Sequence, residues 1–393
     1  MASKYIPLSY IEISKGNLMH NIKQFRRVID TRTKISAVIK SNAYGHGDIE
    51  VAKVLNPYVD YFQVNSVEEL ARVRTISRKP VLVLGYIQKF ELKRAIELSC
   101  IISIFDIEHA KALNFVAQKL DKKVKVHIAI DSHLGREGIM PIDLPNFLIE
   151  FKKLKNIICD GVYSHFANIE DTTDFSHGQK QIYTFKSVVE QFKNAGYKNL
   201  SANRHGIKNH ISATSGILAY EKWKGIHDIA RIGVGLYGMW PSVELEKIWK
   251  KKITLKPVMR YVTHVAQVKN LPKGHTVGYG LTYVAKSDIK IAVIPQGYAD
   301  GLTRTLSNNG EVLIRGMRAP ILGRVAMNMF VVNVTDIKGV KTEDEVVILG
   351  AQKGLPAARQ GEVITAEEIA RNMGTINYEV TTHLSPFLPR IVR

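Results

Sequence analysis

The chain has 393 residues, 45% of them apolar and 23% charged, which suits two or three folded units with a large core and excludes a mostly disordered chain. No uncharged apolar run approaches the ~20 residues of a membrane span, and the opening MASKYIPLSYIEIS has no apolar stretch of signal-peptide length, so a cytoplasmic protein without membrane attachment is expected. Fifty-five basic against 36 acidic residues leave a formal charge of +19, which raises the question of a nucleic-acid partner.

The lysines answer it by their scatter. The densest groups, Lys119 to Lys125 and Lys250 to Lys252, carry neither interleaved aromatics nor zinc-finger spacing, so they read as solvated faces and no nucleic-acid partner is expected. Cys100 and Cys159 both sit in apolar runs and read as buried thiols. The 13 histidines form no close pair with cysteine or carboxylate at ligand spacing, so no metal is expected.

Taken in chain order, short β-branched or apolar runs occur at Ile35–Lys40, Tyr61–Asn65, Val81–Tyr86 and Ile101–Phe105, then at Val124–Ile130, Ile158–His165, His210–Ser215 and Ile229–Tyr237. Segments of helical period separate most of them, such as SVEELARVRTI after Asn65 and IEHAKALNFVAQKL after Asp106. Eight strand-then-helix units fit a (β/α)8 barrel of the TIM type better than an open doubly wound sheet. After Pro241 the pattern changes to strand signals separated by turns, with one helix expected behind the TAEE capping pattern at Thr365. The predicted fold is α/β: a barrel domain over residues 1–245, then a mainly β domain over 246–393.

Barrel active sites lie at the carboxyl ends of the strands. Those ends carry Lys40, Arg136, His165, Ser215 and Arg231. A lysine closing an apolar strand loses charge by desolvation, and its neutral amine can form a Schiff base with an aldehyde cofactor. Taken alone, Lys40 equally fits a side chain snorkelling to solvent, and His165 a hydrogen-bonded core histidine. The amides near Gly216 and Gly233 with Ser215 can cradle a phosphate, although glycine-rich turns are common.

AVIKSNAYGHG (Ala37–Gly47) resembles the pyridoxal-phosphate attachment site of the alanine racemases. The resemblance continues in family order through GREG (Gly135–Gly138), SHFAN (Ser164–Asn168) and RIGVGLYG (Arg231–Gly238). It runs on through VGYG (Val277–Gly280), GYADG (Gly297–Gly301), GRVAMNM (Gly323–Met329) and INYEV, which starts at Ile376. It implies pyridoxal 5'-phosphate held by Lys40, with Lys40 as the base for the D-enantiomer and Tyr279 as the base for the L-enantiomer. Tyr279 would come from the partner subunit of a homodimer. Tyr44, Ser215, Gly233, Val234 and Tyr378 match the phosphate-binding set, with Thr214 beside it. His165 would lie against the pyridine ring and Arg231 would face its nitrogen. Arg136 would bond the phenolic oxygen, with Met327 and Tyr298 on the substrate side.

The implied reaction is interconversion of L- and D-alanine, supplying D-alanine for cell-wall peptidoglycan. Four positions depart from the family pattern; Ala129 replaces the lysine whose carbamate braces Arg136, Ala326 replaces a cysteine, and Thr214 replaces an asparagine. Asn328 also replaces an acidic residue. Arg136 then needs another anion, a bound chloride or a nearby carboxylate. The changes leave open a racemase for serine or for a wider range of amino acids. A non-catalytic carrier of pyridoxal phosphate is the reading of another class, and the intact VGYG argues against it.

Overall fold

The computed structural model describes residues 7–170, 172–197, 206–219, 228–354 and 361–393. Two compact units share the chain. One holds Asn17–Ala43 and Val51–Lys256; the other holds Met1–Gly16, Tyr44–Glu50 and Pro257–Arg393.

The first strand, β1 (Tyr10–Ile13), belongs to the second unit. The next eight are β2 (Lys34–Val38), β3 (Tyr61–Val64), β4 (Val81–Val83), β5 (Ile101–Ile104), β6 (Val124–Ala129), β7 (Ile157–Tyr163), β8 (Lys208–His210) and β9 (Ile229–Ile232). They form one sheet in the order β8-β7-β6-β5-β4-β3-β2-β9, parallel throughout. Single hydrogen bonds bridge β8 and β9: Asp228 N–H to the Asn209 carbonyl (2.8 Å), Asn209 N–H to the Asp228 carboxylate (2.8 Å) and Arg231 N–H to the Ser212 carbonyl (3.2 Å). The result is a nearly closed barrel, as the eightfold rhythm predicted.

Valine and isoleucine fill these strands because the barrel buries both faces of a parallel sheet. Helices follow the strands where the sequence has helical period, and two of them are opened by a side chain that takes an orphan amide. Ser66 accepts from Glu69 N–H (3.3 Å) at the start of Val67–Arg74, and Asp106 from His109 N–H (2.7 Å) at the start of Ile107–Lys119. The barrel interior is partly polar. Ser36, Gln63, Ser103, His127, His210 and Arg231 are all buried.

Three expected strands stop well before the end of the sequence pattern, the run Val81–Tyr86 already at Val83. The run His210–Ser215 ends as a strand at His210, and Thr214–Ala219 is a short helix, so Ser215 lies in a helical turn. The Thr214 hydroxyl accepts Gly233 N–H (3.1 Å), the kind of side-chain bond by which threonine diverts backbone from a sheet ladder. The run Ile229–Tyr237 stops at Ile232, and Gly233 leads into a 3-10 turn over Val234–Tyr237.

The second unit contains β10 (Met259–His264), β11 (Gln267–Leu271), β12 (Ile289–Ile294), β13 (Glu311–Ile314), β14 (Met317–Leu322), β15 (Phe330–Asn333), β16 (Glu345–Ala351), β17 (Val363–Ile364) and β18 (Arg390–Val392). With β1 they make a ten-stranded sheet ordered β11-β12-β15-β14-β13-β16-β10-β1-β18, with β17 against β16. All pairs are antiparallel except β1 with β18. The pairings Tyr10↔Val262 and Ile11↔Arg390 place β1 in this unit, although it lies within residues 1–245, the span expected for the barrel. At the other end the division falls between Lys256 and Pro257, beyond the helix Val243–Trp249.

The helix Ala366–Met373 forms behind Thr365, whose hydroxyl accepts Glu368 N–H (3.1 Å). Glu368 itself turns to Arg318 (2.6 and 3.1 Å). Among the described residues no helix is long and apolar enough to cross a membrane.

Candidate active site

In the barrel unit, Lys40, Arg136, His165 and Arg231 line one cavity of about 540 Å3, together with Ala129 and Tyr163. Arg136 and His165 also border an adjoining cavity of about 280 Å3 that Ser215 and Gly216 line. Five of the residues expected at the mouth are thus gathered from β9, the chain just after β2, the loops after β6 and β7, and the short helix after β8.

Lys40 follows β2. Burial is the largest influence on its amine, and with the cations Arg136 and Arg231 it lowers the pKa; Glu137 and Glu69 act the other way. Arg231 sits on β9, 5% exposed. Its guanidinium donates to the carbonyls of Ser164 (2.7 Å) and Ile211 (2.5 Å) and lies 5.6 Å over the Tyr163 ring. It also approaches His165 Nδ1 at 3.4 Å. Burial, then Arg231, Arg136 and Lys40, push the His165 imidazole down to about 3, so it stays neutral. Beneath them, His127 Nδ1 meets His210 Nε2 at 2.8 Å, and the His210 ring stacks on Tyr163 with centroids 5.1 Å apart.

Arg136 is presented by a tight turn. Asp131 accepts the N–H groups of Leu134 (2.8 Å) and Gly135 (3.0 Å). Gly138 has φ +133°, and a Cβ there would stand 2.5 Å from Asp131 N. The anion that Ala129 cannot supply is a neighbour in sequence: Glu137 grips the Arg136 Nε and Nη2, the latter at 2.9 Å. The sequence carried that residue in GREG, but spacing does not tell which way two adjacent side chains turn.

Around the expected phosphate set, Ser215 donates to the Glu170 carboxylate. Thr214 holds the amides of Gly233 (3.1 Å) and Gly235 (3.5 Å), and Val234 is buried. In the β-rich unit, Tyr44 and Tyr378 face each other with ring centroids 6.1 Å apart. GYADG and GRVAMNM meet there: Tyr298 N–H donates to the Ala326 carbonyl (3.1 Å) and Ala299 N–H to the Met327 carbonyl (3.0 Å). Tyr279 opens a 3-10 turn between Gly278 (φ +69°) and Gly280 (φ +73°) and is 74% exposed.

Comparison with known proteins agrees over the whole length. The model of the alanine racemase N-terminal domain matches residues 13–241, and that of the C-terminal domain residues 258–392. Alanine racemase 2 of Caldanaerobacter subterraneus subsp. tengcongensis is 37% identical over 384 residues, covering 97% of this chain and 94% of that protein. The alanine racemase of Clostridium difficile 630 superposes with a TM-score of 0.89 at 31% identity, over 99% of this chain and 97% of that one. The alanine racemase from Bacillus anthracis with bound L-Ala-P gives a TM-score of 0.88 at 30% identity, over 100% and 96%. Fold and matches together define an isomerase of the amino-acid racemase class. The chain belongs to the alanine racemase family.

Proposed function

We propose that the protein is a pyridoxal-phosphate-dependent alanine racemase, interconverting L- and D-alanine with Lys40 and Tyr279 as its two bases. The observation that carries this reading is the setting of Lys40: an amine at the carboxyl end of a barrel strand, inclined to its neutral form by burial and two guanidinium groups. The donor set suits the cofactor. A neutral amine suits its aldehyde, and the Ser215 hydroxyl on the adjoining cavity suits its phosphate. Arg231 suits its ring nitrogen. When bound, pyridoxal phosphate supplies the electron sink that makes an α-proton of an amino acid removable.

The residues then divide the work. Lys40, once free of the cofactor, holds or takes a proton on one face of the substrate, and Tyr279 serves the other from the partner subunit of a homodimer. One base on each face is what inversion requires. Arg231 does not release its proton, and its carbonyl partners fix it, so it limits the electron sink and favours proton return over decarboxylation or transamination. The Arg136 guanidinium, gripped by Glu137, supplies a fixed positive charge beside Lys40. The D-alanine would serve peptidoglycan. Ala129, a methyl group on the cavity wall, favours a second reading in which serine or larger amino acids are also turned over.

The test is a chiral assay of the purified protein with pyridoxal phosphate and each common L-amino acid singly. Alanine is expected to lead; serine turned over as fast would establish the wider range. Lys40→Ala should lose the cofactor on gel filtration. Tyr279→Phe should keep it and lose L-to-D conversion by roughly 100-fold or more. Parental turnover in Tyr279→Phe would overturn the two-base reading, and cofactor binding with no racemisation of any amino acid would make the protein a carrier.

A further inference from the structure

The backbone beyond Lys40 is strained. Ser41 (φ 54°, ψ 53°), Asn42 (φ 53°, ψ 44°) and Ala43 (φ 52°, ψ 51°) all lie in the left-handed region, and Tyr44 follows at φ 54°. Left-handed helix is unfavourable for an L-residue because its Cβ crowds the following carbonyl oxygen, and of these four asparagine tolerates it best. Such a run persists only where its surroundings over-determine it.

Glu69 supplies the determinant at its start. It stands in the first turn of the helix Val67–Arg74 and is 9% exposed. Its Oε1 accepts Ser41 N–H at 2.6 Å and its Oε2 accepts Asn65 N–H at 2.6 Å. In an S-x-x-E capping box the carboxylate returns to the N–H of the capping serine. Here Ser66 caps the helix by its own hydroxyl. The carboxylate instead ties the chain leaving β2 to the chain leaving β3, which are paired through Val38↔Gln63. Two short bonds from backbone amides to an ionised acceptor belong to the stronger class of hydrogen bond.

We propose that Glu69 is the positioning residue of Lys40: its carboxylate, forked between the amides of Ser41 and Asn65, holds the left-handed turn that sets where the Lys40 amine stands. This rests on the reading of Lys40 as cofactor-bearing base. The neighbouring Glu68 provides the control, because it points to Arg94 at the surface (3.0 Å).

Hydrogen exchange followed by mass spectrometry on the apoprotein reads the clamp directly, in peptides spanning residues 40–47 and 63–69. Glu69→Gln keeps one acceptor and sets an NH2 against an amide; Glu69→Ala removes both acceptors. Exchange in both peptides should quicken from parent to Gln to Ala, and stay parental in Glu68→Gln. In the holoenzymes kcat should fall roughly tenfold to a hundredfold with KM for alanine moving less, since misplacing a reacting group costs on that scale. If Glu69→Ala does not fold, the isosteric Glu69→Gln carries the comparison. Unchanged exchange, or unchanged kcat per folded molecule, would overturn the proposal. If Lys40→Ala keeps cofactor and turnover, the reading of Lys40 fails instead, while the exchange data still judge the clamp.

Discussion

His165 has an electrostatic setting with a measurable consequence. Burial first, and then the cations Arg231, Arg136 and Lys40, hold its folded pKa at about 3, against about 6.5 for an unperturbed imidazole. The unfolded chain therefore binds a proton that the folded one refuses. The stability this gives is fully present above about pH 6.5 and drains away as pH falls toward 3. His127, likewise buried and lowered, adds to the same slope. The His165 resonance in a histidine-labelled sample should not titrate between pH 8 and 5, and His165→Asn should flatten the loss of urea stability on acidification. A ring titrating near 6 would contradict the setting described. His165 was legible in the sequence as a candidate, because a histidine just past a strand end is visible in pattern. Its neutrality was not visible, since its causes, burial and the charges of Arg231, Arg136 and Lys40, are brought in from distant elements.

The strands of the barrel show what periodicity reads well and what it misses. β-branched runs announce buried parallel strands, and all eight were recognised. The third, seventh and eighth were drawn too far; at the last two, the Thr214 side-chain bond and the turn at Gly233 are features that hydropathy does not record. The left-handed turn after Lys40 was equally hidden: serine, alanine and tyrosine give no signal of positive φ. On β7, Gly161 faces the His127 ring, where a Cβ would approach to 2.8 Å of Nε2 and 2.9 Å of Cδ2 and Cε1. That ring is held between His210 and Asp160 and has no room to retreat. Gly161→Ala should therefore lower the stability by about 1–3 kcal/mol, as overpacking does. The urea midpoint followed by circular dichroism checks it, and a midpoint equal to the parent's would show the ring to be mobile.

For the whole molecule, the proposed homodimer makes a prediction that neither site alone can test. If Tyr279 acts across the interface, a hybrid of Lys40→Ala and Tyr279→Phe subunits has one site lacking both groups and one possessing both. Random reassortment makes about half the dimers hybrid, so mixing two inactive proteins should restore about a quarter of parental activity. No recovery after proven subunit exchange would place Tyr279 in its own subunit's site. The strand Tyr10–Ile13 was the part of the domain plan that local pattern could not supply. Its partners lie at Met259–His264 and Arg390–Val392, and pairing over such distances leaves no trace in a window of ten residues. The same pairing sets a timetable for biosynthesis. A ribosome reaches β10 roughly 250 residues after releasing β1, some ten to fifty seconds of elongation at ordinary rates. Through that interval β1 has neither of its sheet neighbours, and the second, β18 (Arg390–Val392), is made later still than β10 (Met259–His264). The barrel segments can assemble while the nascent chain grows, but the β-rich unit can close only when β1 is met by β10 and β18, each made long after it.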